Sequence, residues 1–262
     1  MARKALCLGI SDYPGVNGDL PGCVNDARAW AALLTEHYGF AAADVRLLLD
    51  EQATRREILG ALDVLLAGAR AGDVLVFTNS SHGTYVPDRD GDEPTYDEAI
   101  CPYDYRANLI VDDELRERFA ALAPGVQLVF ISDSCHSGTL SRFEPPGRYR
   151  RARFLAPEEW GGHSLADVTP VSLQKGRSRE SDRREILLAG CRSNQYSFDA
   201  RIDGRYHGAM TWFALQAIRE HRYDLSYADL HARLCELMAE GSFAQDPQLA
   251  GPDAARKRRL FS

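Results

Sequence analysis

Residues 126–138 read VQLVFISDSCHSG. An unbroken β-branched and aromatic run of this length is the pattern of a strand buried on both faces. The chain then turns abruptly small and polar around one thiol, Cys135. Residues 74–83, VLVFTNSSHG, repeat the design and end on His82 instead. In a parallel sheet, catalytic and binding groups collect just beyond the carboxyl ends of such strands. Two of these strands side by side would join Cys135 to His82, which lies 53 residues earlier. A thiol beside an imidazole is the minimum equipment of a cysteine nucleophile.

The rest of the chain fits a sheet around those two strands. Further strands are expected at 3–10, placed centrally, at 45–49 and at 185–191, with a short one near the end in QDPQLAG. Helical spacing of apolar residues predicts helices over 25–38, 112–122, 208–221 and 226–239. Gly39 suits the C-cap of the first. Thr54 with Glu57 reads as a capping box opening another helix that runs to about Arg70. Strands alternating with helices predict an α/β fold, a mostly parallel sheet covered on both faces. Residues 139–184 interrupt this, with ten Arg and Lys against six Asp and Glu and no lasting periodicity. The chain therefore divides into 1–138, a basic irregular loop over 139–184, and 185–262, whose strand is expected to complete the same sheet. The loop is expected to be exposed, the condition for proteolysis.

Composition narrows the function classes. The chain has 262 residues and a net charge of −7, which gives no general attraction to nucleic acid or an anionic membrane. No apolar run approaches the ~20 residues that span a bilayer. The opening MARKALCLGI turns polar at SDYPG, so it reads as a first strand, not an export signal. Six scattered cysteines without a CxxC pair suggest reduced, cytoplasmic usage, with neither a disulfide framework nor a zinc site.

Around the thiol, each residue type carries a consequence. His136 adjoins Cys135, but neighbours on an extended chain point opposite ways, so His82 is the better base. Gly83 lets the backbone approach a substrate closely. Its amide and that of Cys135 could together hold the oxyanion of a tetrahedral intermediate. Asp133, two residues before Cys135, would face the same side and oppose thiolate formation. A cationic substrate side chain that neutralises it supplies the reason for its presence. Residues 82–113 carry nine acids against two bases, which reads either as a solvated loop or as a hard-cation site.

The boxes SSHG and DSCHSG resemble those of caspase-like peptidases, specifically metacaspases, and their separation is close to the roughly 50 residues known for caspases. LPGCVNDA (20–27), DEAICPYDY (97–105), VDDEL (111–115), LAGCRSNQYSFD (188–199) and HGAMTWFALQAI (207–218) extend the resemblance over nearly the whole chain. It implies a caspase-like three-layer αβα sandwich of the minimal prokaryotic type without a prodomain. It implies a His82–Cys135 dyad and an acidic S1 pocket lined by Cys23, Asp26, Ser80 and Asp133. Substrates would be proteins or peptides with Arg or Lys at P1, cut through a thioester acyl-enzyme. No cofactor would be required. Asp97, Asp112 and Asp113 would match the calcium ligands of calcium-dependent members, although Arg142 stands where a further acid is expected. Ser81 replaces the glycine usual before the histidine. RYRRAR (148–153) and KGRSRESDRR (175–184) offer the enzyme itself, or an upstream protease, cleavable bonds within the loop. The alternative is a catalytically silent caspase-like scaffold acting through protein contacts.

Overall fold

Side chains alternate across the strands of the main sheet and so divide the core in two. In the first strand Ala5 and Cys7 face one layer, and Leu6 and Leu8 the other. The computed structural model describes residues 1–15, 19–87, 96–135, 150–162 and 183–262. Its strands are β1 (Arg3–Gly9), β2 (Val45–Leu49), β3 (Val74–Ser80), β4 (Gly83–Pro87), β5 (Tyr96–Ile100), β6 (Ile110–Val111), β7 (Gln127–Asp133), β8 (Arg150–Ala152), β9 (Ile186–Ala189), β10 (Phe198–Ile202), β11 (Arg205–Gly208) and β12 (Gln248–Ala250). Its helices are α1 (Cys23–His37), α2 (Arg55–Leu66), α3 (Asp112–Ala120), α4 (Pro157–Trp160), α5 (Ala209–Glu220), α6 (Tyr227–Glu240) and α7 (Asp253–Arg256).

The main sheet runs β12-β9-β7-β3-β1-β2 and is parallel except for β12. Residues of α1, α5 and α6 pack on one face, against Cys7, Val76, Ile131 and Leu188. Those of α2 and α3 pack on the other, against Leu8, Phe77 and Leu128. This is a three-layer αβα sandwich. β1 is not central: it stands one strand from the edge, with β3 and β7 in the middle. After β1 the chain goes outward through α1 to β2, then returns through α2 to the opposite side of β1. Right-handed crossovers in opposite directions put their helices on opposite faces. The sheet therefore has a switch point between β1 and β3, where open α/β sheets form their clefts.

Local chemistry explains most boundaries. Gly39 takes φ 70 just past α1, the left-handed stop that glycine adopts without penalty. Thr54 Oγ1 accepts the Glu57 amide at 3.4 Å, while the Glu57 carboxylate lies against Arg46 and Arg56. Ser226 and Asp229 complete a reciprocal capping box on α6.

Two small antiparallel sheets were not expected from the sequence. The acidic stretch after His82 supplies β4, β5 and β6, and the third sheet joins β8 to β10 and β11. The basic stretch also departs from expectation. Its described part, 150–162, holds β8 and α4 and buries Arg153, Leu155 and Pro157.

Phe77 is fully buried and stacks on its register partner Phe130, with centroids 4.9 Å apart. Phe77→Ala is expected to cost about 3–5 kcal/mol of stability, measured by denaturant unfolding.

Candidate active site

Ser80 and Asp133 are register partners at the ends of β3 and β7. His82 and Cys135 each follow two residues later, so the parallel pairing carries them to the same edge. The polar tails are tied across the strands. Asn79 Nδ2 donates to Ser132 Oγ at 3.3 Å and to Ser134 Oγ at 3.2 Å, and Ser81 Oγ donates to Asn79 Oδ1 at 2.9 Å. The His82 backbone is held at both ends. Its N–H donates to Tyr13 Oη at 3.1 Å and its carbonyl accepts from the Cys101 amide at 3.0 Å. The Tyr13 hydroxyl donates to the Cys101 carbonyl at 2.8 Å, and its ring lies 4.9 Å from the His82 imidazole. Burial raises the Tyr13 phenol well above its ordinary value, so it stays protonated. Sequence reasoning missed this positioning residue, whose only signal was an aromatic side chain in the SDYPG turn.

Cys135 is buried. The Ser197 N–H points at its sulfur from 2.6 Å, and the thiol donates to the Ser197 carbonyl at 3.1 Å. A backbone donor aimed at sulfur is the polarity a thiolate needs. Cys191 neighbours it. The hydrogen bond with Cys135, and then burial, push the Cys191 thiol well up, so Cys191 keeps its proton. His136 lies outside the described residues.

Beside the nucleophile sits a buried acidic pocket, and Arg153 fills it. Its guanidinium donates to Asp26 Oδ2 at 2.6 Å, Asp199 Oδ1 at 2.9 Å and Ser80 Oγ at 2.7 Å, and lies 3.3 Å from Asp133 Oδ2. Burial opposes its charge, but Asp133, Cys23, Asp26 and Asp199 outweigh that and raise Arg153 well above its ordinary value. Cys23 is a neutral wall, its thiol pushed well up by burial. The acids have other donors as well. Asp26 accepts from Ser80 Oγ at 2.8 Å and the Gly208 amide at 2.9 Å, with His207 Nδ1 at 3.1 Å. Asp133 accepts from Ser197 Oγ at 2.6 Å and from the Thr211 amide and hydroxyl at 3.0 and 2.8 Å. Asp199 accepts from the Gly22 amide at 3.1 Å. Gly208 must be glycine: a Cβ there would lie 2.1 Å from Asp133 Oδ2 and 2.5 Å from Arg153 Nη1.

The sequence set Cys23, Asp26, Ser80 and Asp133 thus comes together. Two members of the pocket were missed. Asp199 lay at the end of a stretch matched only as a whole, and Arg153 was one of the basic residues of RYRRAR named as cleavable, none of them singled out.

The Arg153 backbone is held as firmly as its side chain. Its carbonyl accepts from the amides of Gly83 at 2.9 Å and Cys135 at 3.1 Å, the two donors named from the sequence as an oxyanion hole. Its N–H donates to the Ser197 carbonyl at 2.9 Å, and the Leu155 N–H donates to the Gly83 carbonyl at 2.9 Å.

Asp97, Asp112 and Asp113 do not converge. Asp112 and Asp113 both pair with Arg116. Asp112 lines a cavity with Arg116 and Arg183, whereas Asp97 lines a different one with Arg106 and Trp160. Among the described residues no three His, Cys, Asp or Glu side chains are arranged to hold a metal ion. Among the described residues, the three aspartates as placed do not form one calcium site, and Arg116 pairs with two of them. Arg142 lies outside the described residues.

Residues 3–143 match the metacaspase peptidase C14 domain family. A metacaspase-1A of Neurospora crassa is 33% identical over 99% of this chain, which spans 64% of that protein's length. A metacaspase-1A of Aspergillus terreus is 34% identical over 95% of this chain and 70% of its own. A crystal structure of a Geobacter sulfurreducens protein superposes with a TM-score of 0.74 at 27% identity, covering 100% of this chain and 99% of that one. Caspase-1 of Spodoptera frugiperda superposes with a TM-score of 0.60 at 13% identity over 95% of this chain and 88% of its own, a likeness of fold alone.

Burial pushes Asp199 up to about 6, with the charges of Asp26 and Asp133 adding to it and that of Arg153 opposing. Withdrawing the guanidinium lets Asp199 titrate higher still, so binding a cation there releases a proton. Affinity for the cation is then full at higher pH and falls as pH drops toward 6. In Arg153→Ala protein, calorimetric affinity for an arginine amide should weaken as pH falls toward about 6. Asp199→Asn on that background should remove the slope.

Proposed function

The chain belongs to the metacaspase peptidase family, and from that premise we propose that it is a cysteine endopeptidase cutting proteins or peptides after arginine or lysine. One observation carries the reading: Arg153 lies across the strand ends as a bound P1 residue would. Its side chain is in the acidic pocket, and its carbonyl oxygen rests on the Gly83 and Cys135 amides. A catalytically silent scaffold has no need for both at once.

The reaction follows from that pose. Cys135, its proton passed to His82, attacks the carbonyl carbon of the P1 residue. The two amides stabilise the developing oxyanion. The tetrahedral intermediate collapses to a thioester and expels the leaving amine, which takes the proton from His82. Water, deprotonated by His82, then hydrolyses the thioester. Asp133 lies under the nucleophile because the substrate cation neutralises it, with Asp26 and Asp199. A planar guanidinium reaches several carboxylates and Ser80 together, so arginine is favoured over lysine, whose ammonium is a point charge. A P1 aspartate would add a further anion to the pocket and is rejected.

The same pose makes the Arg153–Phe154 bond the chain's own first substrate. After the cut the fragments stay together, because β9 remains paired with β7 in the sheet. Intact-mass analysis of purified protein is expected to find fragments 1–153 and 154–262. Cys135→Ala protein should stay whole alone and be cut at the same bond by added active enzyme or an upstream protease. Cleavage confined to other bonds would mean that Arg153 is a plug and not a substrate.

No step in this mechanism passes through a metal. Hydrolysis of an arginyl peptide is therefore expected to survive a calcium chelator with most of its rate. Complete loss restored by micromolar calcium, in the range of sensor sites at ~10⁻⁷–10⁻⁵ M, would overturn that expectation.

A further inference from the structure

Arg153 does not enter the cleft alone; the residues that follow it are seated too. If Arg153 is P1, chain connectivity makes Phe154 the residue after the cut and Leu155 the next. The Phe154 ring lies between two tyrosines. It stacks on Tyr85 with centroids 6.0 Å apart and planes 19° from parallel, and tilts against Tyr196 at 5.8 Å. The two tyrosines come from different elements. Tyr85 lies on β4, two residues after Gly83, and Tyr196 directly precedes Ser197. Tyr196 is close enough for the charge of Cys135 to help raise its phenol, after burial. Leu155 is 1% exposed and belongs to the same apolar cluster as Tyr13, Ile100 and Tyr105. Its backbone is fixed by the Gly83 carbonyl, so Gly83 bonds the chain on both sides of the Arg153–Phe154 bond.

We propose that the enzyme selects substrates beyond the cut as well as before it: an aromatic residue directly after the arginine, held between Tyr85 and Tyr196, followed by a branched aliphatic residue in the Leu155 seat. Arginine gives the recognition by charge. The aromatic slot adds recognition by ring stacking, which pairs of aromatic side chains supply beyond their burial. A glycine after the arginine leaves the slot empty. An aspartate there sets a charge against two ring faces, whose quadrupoles repel it. The preferred substrate class is then a basic–aromatic–aliphatic sequence, far rarer than a single arginine.

The inference rests on the peptidase reading, and its test separates the two. Two substrates are compared on the wild-type protein. One is a peptidyl-arginine methyl ester, whose leaving group carries no side chain. The other is a quenched peptide set with arginine fixed and Phe, Leu, Gly or Asp after it. The expected result is hydrolysis of the ester together with kcat/KM for Phe above Gly on the order of tenfold, the size that two aromatic contacts supply. In Tyr196→Ala the ratio of Phe to Gly should fall toward one. Hydrolysis of the ester with no preference for Phe, or with Gly or Asp preferred, would overturn the aromatic slot and leave the peptidase reading standing. An inert ester and an inert peptide set would sink both.

Discussion

Three buried carboxylates close together are the constraint on which the rest of this structure depends. Two unit charges ~4 Å apart repel by about 4 kcal/mol at an effective dielectric near 20, so Asp26, Asp133 and Asp199 cannot share a dry pocket unsupported. Two helix N-termini face them. The Gly22 amide at the start of α1 serves Asp199, and the Gly208 and Thr211 amides at the start of α5 serve Asp26 and Asp133. Free amides and the positive end of the helix dipole favour anions there. What the helices leave uncompensated, a guanidinium supplies.

That arrangement ties the acidic pocket to the fold. α1 follows β1 and α5 follows the small sheet of β8, β10 and β11, yet both open at the carboxyl edge of the main sheet. The nucleophile and its base reach the same edge through the register of β3 and β7. The pocket and Cys135 share this edge, so Arg153, held by Asp26 and Asp199, also rests its carbonyl on the Gly83 and Cys135 amides.

Occupation of the cleft by Arg153 also stabilises the uncut chain. Truncating one partner of a buried charge set strands the others, so the arginine and the acids hold each other until a competitor replaces the guanidinium. The basic loop joins the sheet through β8 pairing with β10. One stretch is thus at once a structural strand and a ligand of the site.

The sequence by itself determined the sandwich and the two strand ends. Continuous apolar runs such as VLVFT and VQLVFIS admit little but buried strands, and helical periodicity between them requires crossovers and hence parallel pairing. The abrupt change to small polar residues marked His82 and Cys135, and Asp133 betrayed a cationic partner through the repulsion that it would otherwise exert on the thiol. Only the tertiary structure decided the rest. Nothing local distinguishes Arg153 from the arginines around it, because its burial depends on three acids drawn from residues 26, 133 and 199. Asp199 joins that set only when β10 folds beside β8. Tyr13 meets His82 only when β1 and β3 pair. The resemblance alone named the aspartates at 97, 112 and 113 as calcium ligands, and Arg116, one helical turn beyond Asp112, pairs with two of them. Periodicity is a property of consecutive residues and can be read directly, whereas a charge's partner is set by long-range packing.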